Sequence, residues 1–224
     1  MAKLCIVPTP IGNLEDITLR ALRLLKEADF ILAEDTRQSL KLLQHYGINK
    51  KLVSFHQNNE HKVLQNVIQQ IAQHEMVCLV SDAGTPGISD PGFLLVRECI
   101  KNGIPVECLP GPAALIPALV QSGFPCDQFI FEGFLPHKKG RQTQIQKMLN
   151  EERTIILYES PYRLIKTLEQ LKEILGAERE VCVCRELTKM FEETKRGTLQ
   201  EVTQHFLQKE VKGEIVIVLK GKNA

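Results

Sequence analysis

The run MVCLVSDAGTPGISDPG, residues 76–92, decides how the chain is read. Its first five residues are all apolar, a length that suits a buried strand better than a helix. The next twelve, SDAGTPGISDPG, hold two Asp, three Gly and two Pro. A tight turn needs only about four residues in all, so this loop does more than redirect the backbone. After it, FLLVRECIKN (93–102) has helical spacing and stops at Gly103. Strand, glycine-rich loop and helix make up the unit of a parallel sheet. In such a sheet, ligands bind beyond the carboxyl ends of the strands.

The same alternation extends in both directions. Before the run, LCIVP (4–8), FILAE (30–34) and KLVSF (51–55) read as strands. TLRALRLLKEA (18–28), RQSLKLLQHY (37–46) and NEHKVLQNVIQQIAQH (59–74) read as helices, the first capped by Asp16 or Thr18. After it come the strand IPVECL (104–109) and a helix in PGPAALIPALVQSG (110–123). Apolar strands without alternation mean a parallel sheet covered on both faces. Beyond SGFPCDQ (122–128) the pattern changes. FIFEGF (129–134) and TIILYES (154–160) are strands around a helix that follows HKKGRQ, and SPYRLIKTLEQLKEIL (160–175) is a helix. EVCVCREL (180–187), FEETKRGTL (191–199) and GEIVIVLKG (213–221) then lie close in sequence, with one short helix near 201–208, which points to a mixed sheet. The expectation is an α/β protein of two α/β domains, residues 1–121 with a parallel sheet flanked by helices and 128–224 with a mixed sheet, and a cleft between them.

Composition narrows the class. The chain has 224 residues, 43% hydrophobic and 25% charged, which fits folded domains and not disorder. A formal net charge of +1 is too small for a protein that coats duplex DNA, so any nucleic-acid contact is a local patch. No apolar run is long enough to span a membrane, and MAKLCIVPTP is not a signal peptide, so a cytoplasmic protein is expected. The seven Cys lack CxxC spacing and the six His lack ligand spacing. They read as reduced core cysteines and no metal site, with Cys182 and Cys184 on one strand face.

Three strand ends are rich in Gly and Pro: VPTPIGN, SDAGTPGISDPG and LPGPAA. Any one of them is explained by a tight strand-to-helix turn; three at one sheet edge describe a ligand pocket. Asp82 can accept from ribose hydroxyls or an ammonium group. The absence of GxGxxG and of a Walker A loop disfavours NAD and ATP and leaves a neutral or cationic nucleoside. AEDTR offers Glu34 and Asp35 as general-base candidates, and CRELTK offers Glu186. Arg37, Arg185 and Lys189 can hold phosphates or orient these carboxylates. The plain reading of EDTR, with Asp35 capping a helix and Arg37 in solvent, explains it equally well. HKKGRQTQIQK (137–147) is the clearest basic patch, with His137, Lys138, Lys139 and Arg141 as RNA contacts or simply a solvated loop. FHQNNEH (55–61) is either a nucleotide contact or a capped helix start.

VPTPIGNLEDITLRAL, AEDTR, SDAGTPGISDPG, PGPAA, FEGFLP, YESPYRL, CRELTK and GEIVIV occur in this order along the whole chain. Together they resemble the tetrapyrrole-methylase-type (class III) S-adenosylmethionine methyltransferases, and within them the branch that acts on ribosomal RNA. The resemblance implies 2′-O-methylation of a decoding-region cytidine in 16S rRNA of the small ribosomal subunit. It also implies a homodimer of two-domain subunits with the donor in the interdomain cleft. By motif it assigns Pro10, Asp82, Ala83, Gly84, Thr85, Ile88, Pro112 and Ala113 to the donor pocket, and Phe134, Tyr158, Glu159 and Gly213 from the second domain. Many proteins of this kind continue past the GEIVIV strand into a small helical segment, whereas this sequence stops at Ala224. Two rival readings share the donor pocket: a methyltransferase for a tetrapyrrole precursor, and a catalytically silent S-adenosylmethionine-binding protein. The basic HKKGR segment speaks against the first and the retained carboxylates against the second.

Overall fold

The structure, a computed structural model, describes residues 2–223. Its contacts divide the chain into two compact units, Met1–Ala113 and Ala114–Ala224.

The first unit alternates β1 (Lys3–Ile6), α1 (Leu19–Glu27), β2 (Phe30–Ala33), α2 (Thr36–His45), β3 (Leu52–Ser54), α3 (Glu60–Ala72), β4 (Met76–Val80), α4 (Phe93–Lys101) and β5 (Val106–Cys108). All strand pairs are parallel, in the order β3-β2-β4-β1-β5. The period of two along each strand creates two cores. Leu4, Ile6, Phe30, Leu32, Val77 and Leu79 face Val67, Ile68 and Ile71 of α3 and Leu95 and Cys99 of α4. Cys5, Val7, Ile31, Ala33, Cys78 and Val80 face Ala21, Leu24 and Leu25 of α1 and Leu43 of α2. Thr18 caps α1, its side chain accepting from the Ala21 amide at 3.0 Å.

The second unit contains α5 (Leu115–Ser122), β6 (Phe129–Phe134), α6 (Arg141–Met148), β7 (Thr154–Glu159), α7 (Leu164–Leu175), β8 (Glu180–Arg185), β9 (Glu193–Thr198), α8 (Leu199–Leu207) and β10 (Ile215–Leu219). The order is β6-β7-β10-β8-β9, with only β6 and β7 parallel, so this is the expected mixed sheet. One face packs Ile155, Leu157, Val181, Val183, Ile215 and Ile217 against α6, α7 and α8. On the other face α5 packs against β7, β8 and β10. Helix α5 therefore belongs with the second unit, although the sequence placed it before the linker. It starts only at Leu115, because Pro110 and Pro112 push the residues before them, Leu109 and Gly111, out of the helical region.

All seven cysteines are free, and the Cys182 and Cys184 sulfurs lie 3.8 Å apart on β8. Five are in the core; Cys108 and Cys126 are exposed, which corrects the reading of all seven as core residues. Cys108 ends the short edge strand β5, and Cys126 falls in the segment before β6. Among the described residues, no helix is long and apolar enough to cross a membrane.

Phe206 of α8 is fully buried, and Thr198 and Glu201 form a capping box at the start of the same helix. Phe206→Ala is expected to lower unfolding stability by about 3–5 kcal/mol, and Thr198→Ala by about 1 kcal/mol. Urea denaturation followed by circular dichroism measures both.

Candidate functional site

The parallel sheet of the first unit delivers its three glycine-rich loops to one edge, and the loops are tied to one another. Thr9 and Gly84 exchange both backbone hydrogen bonds, each 2.9 Å, so the first loop pairs with the second. Gly84 does this with φ +82°, a region that a side chain disfavours. The Thr85 hydroxyl donates to the Pro112 carbonyl at 2.9 Å, joining the second loop to the third. Gly111 closes the ring: a Cβ there would lie 2.6 Å from Cβ of Pro8. The concentration of Gly in SDAGTPGISDPG now has a cause. Gly84, Gly87, Ser89 and Gly92 all take positive φ within nine residues. Of the residues expected in the pocket, Pro10 and Gly84 are buried, Ala83, Thr85, Pro112 and Ala113 are half-buried, and Asp82 and Ile88 are exposed.

At the same edge, the ends of β3, β2 and β4 bring His56, Glu34 and Asp82 together, because Ala33 pairs with both Ser54 and Val80. Asp82 accepts from the Asp35 amide at 3.0 Å, which pins the β2–α2 turn to the second loop. Burial, and then the Asp82 charge, raise the Glu34 carboxyl above its ordinary value. Burial likewise raises Asp82. The Nδ1 atom of His56 is buried with no hydrogen-bond partner among the described residues. In the sequence, His56 carries only a weak signal, as part of a polar run with two explanations.

Asp35 differs from Glu34 in every respect. It caps α2, accepting from the Arg37 amide at 2.8 Å. Its carboxylate also pairs with the Arg37 guanidinium at 2.6 and 3.0 Å. These bonds hold the Asp35 pKa down to about 2. The capping explanation of EDTR is the one the structure displays, and it leaves Asp35 a poor base.

In the second unit, the third carboxylate, Glu186, has φ +55° and accepts from Lys189 Nζ at 2.8 Å and the Glu214 amide at 2.9 Å. Burial pushes its pKa up, but these bonds outweigh burial and hold it below the ordinary value. Gly213 lies directly against this side chain, where a Cβ would overlap it. Lys189 also pairs with Glu214, and Arg185 bonds Glu193 and the carbonyls of Lys212 and Phe191. Glu186, Arg185, Lys189 and Gly213 therefore form one braced loop. Tyr158 accepts from the Leu115 amide at 3.2 Å and packs edge-on to Phe131 and Phe134.

Two expectations need correction. Arg141, read as a surface RNA contact, is only 5% exposed. It donates to Gln170 Oε1 at 2.7 Å, Thr167 Oγ1 at 2.6 Å and the Pro136 carbonyl at 3.3 Å. Glu159, read as a donor contact, is 3% exposed and already occupied. It accepts from Thr167 Oγ1 at 2.6 Å and the Ser160 amide at 2.8 Å, and pairs with Arg163 at 3.0 Å and Arg141 at 3.8 Å. A buried carboxylate needs such partners, and the two arginines supply them. His137, Lys138 and Lys139 are exposed as expected. Among the described residues there is no group of three or more His, Cys, Asp or Glu that could hold a metal ion.

A sequence profile of the Tetrapyrrole (Corrin/Porphyrin) Methylases matches residues 3–203. A protein of Thermotoga maritima named ribosomal RNA small subunit methyltransferase I is 50% identical over 222 residues, covering 99% of this chain and 100% of its own length. A protein of the same name from Synechocystis is 49% identical, covering 99% of this chain and 80% of its own. Among solved structures, uroporphyrin-III C-methyltransferase from Thermus thermophilus, in complex with S-adenyl homocysteine, superimposes with a TM-score of 0.68 at 21% identity, covering 97% of each chain.

Removing the Glu159 carboxylate leaves two arginines without their shared counter-charge in a buried site. Glu159→Ala is expected to cost about 3–5 kcal/mol of stability. An Arg141→Met/Glu159→Leu/Arg163→Met triple change should cost far less than that single change. Chemical denaturation of the variants compares them.

Proposed function

The chain belongs to the tetrapyrrole (corrin/porphyrin) methylase family, and from that premise we propose that it transfers a methyl group from S-adenosylmethionine to the ribose 2′-hydroxyl of a decoding-region cytidine in 16S rRNA of the small ribosomal subunit. The observation that carries this reading is the 50% identity, over nearly the whole chain, to a protein named ribosomal RNA small subunit methyltransferase I. The likeness to the uroporphyrin methyltransferase is one of fold and brings no substrate with it. We place the enzyme in the cytoplasm, working as a homodimer without a metal.

The donor supplies an activated methyl on a sulfonium; what remains for the protein is positioning and proton removal. The knitted loops of the first unit fit a nucleoside donor, since Asp82 is exposed beside backbone of fixed shape. Pro10, Asp82, Ala83, Gly84, Thr85, Ile88, Pro112 and Ala113 are assigned to it from this unit, with Phe134, Tyr158 and Gly213 from the second. Glu159 acts as a brace within the second unit. His137, Lys138 and Lys139 take RNA phosphates, with Arg37 as a further cation, while Arg185 and Lys189 shape their own loop.

Glu34 is the base. Of the three candidates it alone carries a raised pKa, whereas Asp35 and Glu186 are held ionised by cations and amides. A base works in its ionised form, so the rate falls as pH drops through the Glu34 pKa, which burial and the Asp82 charge raise from its ordinary value. Glu34→Gln is expected to lower kcat by about 10²- to 10⁴-fold and to remove that limb of the pH–rate profile. Asp35→Asn and Glu186→Gln should keep it. The decisive test is transfer of labelled methyl to small subunits from cells lacking the enzyme, mapped by nuclease digestion, with Asp82→Ala as control. Label on one cytidine ribose, lost in the control, establishes the activity. Donor binding without label on subunits or naked 16S rRNA refutes it and favours a tetrapyrrole substrate.

A further inference from the structure

Strands β6 and β7 are parallel neighbours, with Phe134 paired to Tyr158. The loops that leave them, residues 135–140 and 160–163, are stitched together: Arg163 donates to the Leu135 carbonyl at 2.6 Å and reaches the His137 ring at 3.3 Å. These ten residues contain Lys138, Lys139, Arg163 and His137 and no acid. Below them, Glu159 is matched against both Arg141 and Arg163, so even the buried network carries a net positive charge. Lys138 and Lys139 are exposed and appear in no ion pair with any described residue. In the same short edge Tyr162 is 96% exposed and Phe134 52%. An open aromatic ring beside unbalanced cations, on loops fixed from beneath, fits a nucleic-acid strand better than any other partner.

We infer that this edge is a platform for unpaired RNA flanking the modified nucleotide: a base stacks on Tyr162 while Lys138 and Lys139 take neighbouring phosphates. The inference rests on the rRNA reading above and names the part of the substrate this edge grips. A single strand is required because bases in a duplex have their faces covered by one another, whereas splayed bases offer theirs to a ring. A second copy of the chain fits poorly, since a two-fold contact would set this cationic edge against itself.

The test is fluorescence titration of the full chain with a short single-stranded RNA and with the same strand annealed to its complement. Tyr162→Ala is expected to weaken single-strand binding by about 5- to 150-fold and to leave duplex binding unchanged. Tyr162→Phe should bind like the parent. The Lys138→Ala/Lys139→Ala double change should reduce the slope of log affinity against log salt by about 1.4, the value for two phosphates on a single strand. Affinity for S-adenosylmethionine, by calorimetry, stays the same in each. Equal single-strand binding by Tyr162→Ala and the parent overturns the inference. So does an equal loss on the duplex, or a change of sedimenting mass in Tyr162→Ala that reveals a second copy covering the ring. Methyl transfer separates the two ideas. If the parent methylates subunits and Tyr162→Ala keeps the same KM for them, the platform fails and the rRNA reading stands. If the parent binds donor but neither binds RNA nor methylates subunits, both fail together.

Discussion

Parallel strands cannot be joined by tight turns; each must return through a helix, and every carboxyl end then opens on the same edge. The rest of the first unit follows from that constraint. VPTPIGN, SDAGTPGISDPG and LPGPAA are scattered over a hundred residues of sequence, yet β1, β4 and β5 are adjacent strands and deliver them side by side. Once adjacent, the loops bond to one another through Thr9, Gly84, Thr85 and Pro112, so their shape is fixed by covalent geometry, backbone hydrogen bonds and the Thr85 hydroxyl. The same edge receives Glu34 and His56 from β2 and β3. The knitted loops and the proposed base are two results of one topology.

The contrast among the carboxylates shows how environment divides labour among similar groups. Glu159 is almost fully buried, but Arg141, Arg163, Thr167 and the Ser160 amide saturate its oxygens. It serves to hold two loops of the second unit in place. Asp35 and Glu186 each spend their charge on a helix start or a loop brace. Glu34 lies half-buried beside another acid, where losing its charge relieves repulsion. Proton affinity, more than position in a motif, distinguishes the group suited to accept a proton.

Much of this was legible in the sequence because it depends on local signals. Strand and helix spans followed from apolar spacing, the cap of α1 was narrowed to Asp16 or Thr18, and the change of sheet type followed from three closely spaced strands. The three loops were visible as Gly and Pro clusters, and their co-location followed from the parallel topology. What stayed hidden were long-range polar partnerships. Nothing near HKKGR announces that Arg141 turns inward to Thr167 and Gln170, 26 and 29 residues away, while Lys138 and Lys139 turn outward. Nothing in YESPYRL says that Glu159 is sealed beneath the edge while Tyr162 stands in solvent. In such runs the residue type gives the charge, and only the fold gives the direction.

Gly111 and Pro8 are more than neighbours in the loop ring. With 2.6 Å available to any Cβ at 111, the two positions have a joint history. A larger residue at 111 becomes acceptable only after position 8 loses its Cβ as well as its ring, which leaves Gly there, with an amide and a φ freedom that Pro8 now withholds. Drift here must pass through a poorly shaped intermediate or change both sites together. Substitutions at positions 8 and 111 should therefore appear as a pair in descendants of this sequence.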